Sequence, residues 1–301
     1  MNNHTRHIFL IALVLTGTFL ASSCNRAKTP AAKRYPFTGR VVSIDTQAGS
    51  ALVDGDAIPG FMDAMAMTYK VKPAAALNQL TPGDSISAEV VSEPEDENGR
   101  SDYWLENVKV TAHSNAAAAG TSSLHAPVPR EQVPDFSFVN QDGKSISLGQ
   151  YRGKVLLVTF IYTRCPFPDF CPRMSSNFAK IYEQLAIDPA LANVHLLSIS
   201  FDPDHDRPKV LRDYGFSVAH TRDADLFRRW EFAVPRQADL PKIADFFALT
   251  VKPEGGLITH NLSTAVIGPD GKIVEWYHGG DWQISDLMNH AINAASGFSP
   301  P

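Results

Sequence analysis

Apolar positions follow two different rhythms along the chain. Between Tyr35 and Thr111 they come in short runs: Thr38 to Ile44, Ser50 to Val53, Met67 to Val71, Ser85 to Val91 and Trp104 to Val110. Turn sequences such as Pro82-Gly83-Asp84 and Glu97-Asn98-Gly99 separate some of them. Short strands without a helical repeat predict a small all-β, OB-like barrel. From Arg130 to Pro301 the rhythm alternates. Strand-length apolar runs at Val155 to Tyr162, His195 to Phe201 and Ser263 to Ile267 are separated by helical spacing near Ser175 to Leu185 and Pro208 to Tyr214. Asp270-Gly271 predicts a hairpin turn between Thr264 to Ile267 and Lys272 to Trp276. A last helix is expected after Asp281, a good N-cap, through Ala291. Strands alternating with helices predict an α/β sheet whose loops carry the chemistry.

Two stretches have little to bury. Residues 24–34 read as a tether, and residues 112–129, AHSNAAAAGTSSLHAPVP, read as a flexible linker between the units at 35–111 and 130–301. Residues 1–23 have the layout of a secretory signal: one early arginine, the apolar run Ile8 to Leu20, then Ala21-Ser22-Ser23. Cys24 directly after these small residues resembles the bacterial lipobox, which implies lipidation at Cys24 and a periplasmic-side, membrane-anchored protein. At roughly 13 residues the apolar run is too short to span a bilayer comfortably. Removing residues 1–23 takes away Arg6 and no acid, so the formal charge of −5 becomes −6. With that balance and no basic stripe, a nucleic-acid partner is not expected.

Cysteine usage narrows the chemistry. Cys165 and Cys171 remain after Cys24, and a single pair outside the cytoplasm is no disulfide scaffold, so the pair reads as chemically active. Both lie in Tyr162-Thr-Arg-Cys165-Pro-Phe-Pro-Asp-Phe-Cys171-Pro-Arg-Met174, at the end of the most apolar strand. Two thiolates so placed can hold one soft metal ion or close a Cys165–Cys171 disulfide, and the spacing alone does not choose.

The larger unit resembles a thioredoxin-like domain at Pro134-Asp135-Phe136, Asp142-Gly143 and Gly153 to Phe160, and within that fold the Sco/SenC family of copper-handling proteins. Three ordered signatures carry the resemblance over residues 133–295: the cysteine loop, Ser200-Phe201-Asp202-Pro203-Asp204-His205-Asp206-Arg207-Pro208, and Thr259-His260-Asn261-Leu262-Ser263. One departure stands out, since five residues separate the cysteines where the family usually has three. By its position alone His260 would read as structural; the resemblance implies a copper site of Cys165, Cys171 and His260. Thiolates suit Cu(I), and adding an imidazole suits Cu(II). Asp202 and Asp206 could shape the loop over this site, although Asp206 reads nearly as well as a helix cap before Pro208. His195 reads as core, and His205, His220, His278 and His290 have no companion motif.

A second soft cluster is Met62, Met65 and Met67, in Ile58-Pro59-Gly60-Phe61-Met62-Asp63-Ala64-Met65-Ala66-Met67. Thioethers favour Cu(I), and Met65 and Met67 share a strand face; core filling is the plain alternative. Residues 38–111 resemble the periplasmic copper-binding domain typified by CusF, with Met65 and Met67 on its methionine positions. The family's histidine is missing, since Asp54 or Gly55 stands there, and Phe61 or Met62 lies near the aromatic position. The resemblances together imply a metallochaperone that passes copper to a client, the copper centre of a cytochrome oxidase subunit. The alternatives are a thiol:disulfide oxidoreductase working through Cys165 and Cys171, or copper buffering and redox sensing.

Overall fold

The computed structural model describes residues 32–94, 102–113 and 124–297. The expected signal at 1–23, Cys24, the Glu97-Asn98-Gly99 turn and residues 114–123 of the linker lie outside these residues. Among the described residues no helix is long and apolar enough to cross a membrane.

The first half is built from β1 (Lys33–Asp45), β2 (Ser50–Gly55), β3 (Met65–Val71), β4 (Ser85–Ser92) and β5 (Tyr103–Ala112). The hydrogen-bonded order β1-β2-β3-β5-β4 returns to β1 and closes a barrel. All neighbours are antiparallel except β3 and β5. Closure leaves no free sheet edge, the liability of a short five-stranded sheet. One 3₁₀ turn at Ala74–Gln79 plugs the barrel with Leu77, an element the strand pattern does not announce. Strand β3 starts two residues earlier than expected, so Met65 and Met67 both lie on it.

The second half contains β6 (Ser137–Asn140), β7 (Ser145–Ser147), β8 (Val155–Ile161), α1 (Cys171–Ile187), β9 (Val194–Ser200), α2 (Pro208–Val218), β10 (Trp230–Val234), α3 (Leu240–Phe246), β11 (Val251–Glu254), β12 (Leu257–His260), β13 (Ser263–Ile267), β14 (Ile273–His278) and α4 (Ile284–Ala295). Seven strands form one sheet in the order β14-β13-β8-β9-β10-β6-β7. Its centre, β8-β9-β10, is parallel, with α1 and α2 as crossovers. Every residue of β8 and β9 is buried, as a strand covered on both faces requires. Each fully buried large apolar side chain contributes about 1.5–3 kcal/mol, which holds the end of β8 and the loop it launches in place.

Two capping expectations are corrected. Helix α4 begins at Ile284 with Gln283 as N-cap, so Asp281 lies outside it, 3.9 Å from Arg173. Helix α2 is preceded by Arg207 and has no side-chain cap; Asp206 points instead toward the cysteine loop. Elements β6, β7, β10, β11, β12 and α3 are too short to show a clear period in the sequence.

Candidate metal centre

The site forms where strands running in opposite directions have ends on the same side of the sheet. The cysteine loop leaves the C-terminal end of β8, and Cys171 opens α1 with Pro172 in its first turn. Strand β13 pairs antiparallel with β8, so the chain entering β13 reaches that same end, and His260 is the last residue of β12 just before it. This topology brings together residues 89 and 95 positions apart.

The result is compact. His260 Nε2 lies 3.7 Å from Cys165 Sγ and 3.6 Å from Cys171 Sγ, and the three ligand atoms fall within 4.8 Å of one another. His260 and Cys171 are buried and Cys165 is 9% exposed, so Cys165 is the donor nearest solvent. Both cysteines are free thiols. His260 Nδ1 lies 2.8 Å from the Asn261 carbonyl, which can only accept, so the proton sits on Nδ1 and the Nε2 lone pair faces the sulfurs. Rings box the imidazole: Tyr162 and Phe170 edge-on at 5.4 and 5.3 Å, Phe201 tilted at 4.9 Å. Phe170 comes from the five-residue gap, so the longer loop supplies part of that box.

The sulfurs are electrostatically unequal. A hydrogen bond from Cys171 holds the Cys165 thiol far below its ordinary value, against the opposing effect of burial. Burial pushes Cys171 up, and its helix-start position does not offset this. The pair therefore carries one thiolate, at Cys165, and one shared proton. Two soft sulfurs and a correctly tautomerised imidazole make a donor set that fits copper, and the buried Tyr162 hydroxyl beside it has no hydrogen-bond partner among the described residues.

The two aspartates hold the loop from behind. Asp206, fully buried, accepts from Thr163 N at 2.9 Å, Thr163 Oγ at 2.5 Å and Ser200 Oγ at 2.6 Å. Asp202 accepts from Arg164 Nε at 2.8 Å. Both thus shape the loop, and the helix-capping alternative for Asp206 falls away. His195 is a core residue, bonded to Glu231 at 3.0 Å.

In the barrel, the Tyr69 hydroxyl donates toward Met62 Sδ at 3.3 Å and Met67 Sδ at 3.8 Å, so these two thioethers converge. Met65 is half-buried and pairs in register with Gly55, one of the two positions, Asp54 or Gly55, at which the CusF resemblance would put a histidine. Phe61 stacks on Tyr35 at 3.9 Å. His278, which had no companion motif, sits where the two halves of the chain meet. Its Nδ1 lies 3.1 Å from Thr68 Oγ and its Nε2 2.9 Å from Asn261 Nδ2. The residue is partly buried, and burial pushes its pKa down to about 3.

Comparison with known proteins matches both halves of the chain to copper-related families at the sequence level. The SCO1/SenC family model matches residues 126–294, and the model described as copper binding periplasmic protein CusF matches residues 34–98. A SCO1 protein homolog of Bacillus subtilis is 32% identical over 183 residues, covering 60% of this chain and 90% of its own. The human mitochondrial SCO2 homolog is 23% identical over 155 residues, covering 48% of this chain, which spans 52% of that relative's length. A solved structure of BsSco, described as a member of the Sco family of cytochrome c oxidase assembly proteins, is 31% identical with a TM-score of 0.47, covering 56% of this chain and 97% of its own. Copper is the ion these donors suit and the ion the second family model names. With the three signatures in order and a family model covering more than half its length, this chain belongs to the SCO1/SenC family.

Proposed function

We propose that the chain is a membrane-anchored copper metallochaperone that holds copper at Cys165, Cys171 and His260 and delivers it to a client. One observation carries this reading: two sulfurs and the unprotonated nitrogen of an imidazole converge within 4.8 Å in a buried pocket. Cys165 and Cys171 supply what Cu(I) prefers, and His260 adds the nitrogen that stabilises Cu(II). Loading displaces the shared thiol proton, so uptake releases protons. Family membership supports the copper centre of cytochrome c oxidase as the client. The signal-like residues 1–23 and the position of Cys24 support a lipid anchor on the periplasmic side, ahead of the tether expected at 24–34, of which Lys33 and Arg34 belong instead to β1. The OB-like barrel at 35–111 is a second, weaker thioether site of Met62 and Met67, with Met65 adjacent, and feeds the site at 130–301.

The test is a titration of the wild type, Cys165→Ala, Cys171→Ala and His260→Ala with Cu(I) and with Cu(II). Loss of either cysteine is expected to weaken both ions, and loss of His260 chiefly Cu(II). Equal binding by all four proteins refutes the site.

A second reading, thiol:disulfide exchange with client cysteines, has its own support in the unequal thiols. A low-pKa sulfur nearer the surface beside a fully buried high-pKa one is the division of labour between attacking and resolving cysteines. Reduction of a mixed-disulfide substrate by the metal-free protein, abolished in Cys165→Ala, would favour it.

A further inference from the structure

The barrel and the α/β half meet at the strand that carries the methionines. Ala66, between Met65 and Met67, is fully buried there: its N–H donates to Thr250 Oγ at 3.1 Å and its carbonyl accepts from Asn261 Nδ2 at 3.1 Å. Leu52, Ala66 and Ala248 form a small apolar cluster across the junction. Two ties close its rim, Lys252 Nζ to the Ala64 carbonyl at 2.7 Å and Thr259 Oγ to Asp63 at 3.2 Å.

Asn261 is engaged on both sides. Its backbone carbonyl receives the Nδ1–H of His260, the bond that sets which imidazole nitrogen faces the sulfurs. Its side chain meets four groups: Oδ1 accepts from Thr250 N at 3.0 Å, while the two Nδ2 hydrogens are shared among the carbonyls of Ala66 and Ala248 and Nε2 of His278. Ala248 adopts a left-handed backbone, φ 48°, which a residue with a Cβ disfavours, and its carbonyl is one of those partners. A strained, fully buried alanine is kept where it completes both the apolar junction and the Asn261 socket.

From this arrangement, and resting on the copper reading of the cysteine–histidine site, we propose that Asn261 is a positioning residue for His260, through which the docked strand β3 of the barrel sets the copper geometry of the α/β half. The side-chain amide locks the peptide whose carbonyl aims the imidazole, and one wall of that lock is barrel backbone. Groups that orient a ligating histidine typically change metal affinity about 10–100-fold when removed. The effect falls on Cu(II), which needs the imidazole, more than on Cu(I), which two thiolates hold.

The experiment uses the reduced full chain with cupric and cuprous ions as probes, and the side-chain ¹⁵N spectrum of the metal-free protein. Asn261→Ala is expected to scramble the single Nδ1–H tautomer of His260, shift the thiolate-to-Cu(II) absorption and weaken Cu(II) about 10–100-fold, with less than about threefold change for Cu(I). Asn261→Asp, which keeps the acceptor for Thr250 N and covers the case in which the alanine variant does not fold, should move the same readouts. The rim double variant Asp63→Ala/Lys252→Ala touches neither ligands nor core and should shift them in the same direction by a smaller factor. Wild-type tautomer and Cu(II) spectrum in the Asn261 variants overturn the proposal. Unchanged readouts in the rim variant alone overturn the barrel's part in it. A wild type whose Cu(II) signal does not depend on His260 fails the copper reading itself, while the metal-free tautomer still decides whether Asn261 positions the ring.

Discussion

Asp206 accepts the hydroxyl proton of Thr163 across 2.5 Å, joining the segment after β9 to the cysteine loop after β8. With Thr163 N and Ser200 Oγ it satisfies three donors from a position with no solvent contact. Asp206→Ala leaves those donors unpaired at about 1–3 kcal/mol for each group that water cannot reach, so a loss of at least about 2 kcal/mol is expected in urea unfolding. Copper affinity should fall with it, because Thr163 is two residues from Cys165. A variant with wild-type stability and affinity would show that the latch is idle.

Unequal thiols predict unequal alkylation. At neutral pH iodoacetamide should modify Cys165 in the metal-free protein while Cys171 is spared by burial and by its raised pKa. Because the folded Cys165 thiol lies far below its ordinary value, its labelling rate should stay nearly flat from about pH 6 to 8, where an ordinary thiol near 8.5 would change about a hundredfold. Mass spectrometry of the labelled peptides reads both statements. Preferential labelling of Cys171 would reverse the assignment.

His278 gives the junction an acid sensitivity. Its Nε2 accepts from Asn261, and burial holds its pKa at about 3 against about 6.5 in an unfolded chain. Between these values the unfolded state binds the extra proton, so the contribution is complete above about pH 6.5 and is lost as pH falls toward 3, by at most about 1.4 kcal/mol per pH unit. Urea midpoints from pH 7.5 to 4.5 should fall more steeply in the wild type than in His278→Gln, which keeps an acceptor but cannot titrate. Parallel curves would remove His278 from the account.

The barrel thioethers can be tested apart from the cysteines. In a Cys165→Ser/Cys171→Ser background, Ag(I) should bind once, and Met62→Leu or Met67→Leu should weaken it about tenfold or more, since the two sulfurs meet at Tyr69. Leucine nearly preserves volume, so stability should change by less than about 1.5 kcal/mol. Binding that survives the double Met62→Leu/Met67→Leu change would make these residues core packing.

Deleting residues 35–111 should slow copper loading at Cys165 and Cys171 when copper is limiting, because a donor held on the same chain raises effective concentration. Unchanged loading would sink the transfer step while leaving the main site intact.

Much of this was written locally. The all-apolar run at 155–161 is legible as a buried strand because a strand covered on both faces leaves no position for a polar residue, and the cysteine loop and the Asp270-Gly271 turn follow from their own residues. The pair Cys165 and Cys171 could be read as soft-metal or redox chemistry from sequence alone. Its third partner, His260, was reached only through the family resemblance: the antiparallel pairing of β13 with β8 is what carries it to the loop, and residue type and spacing say nothing about that register. The role of Asp206 was decided the same way, by a donor 43 residues distant competing with a nearby helix start. Least legible were the roles of Asn261, which the sequence shows only as the neighbour of His260 in the third signature, and of His278, which has no motif: their meaning lies in carbonyls and hydroxyls that docking of the barrel supplies. Local sequence determined which elements form and which atoms can bind a soft ion; the tertiary structure decided which of those atoms share one site, because hydrogen bonds and ligand sets depend on distances that only packing sets.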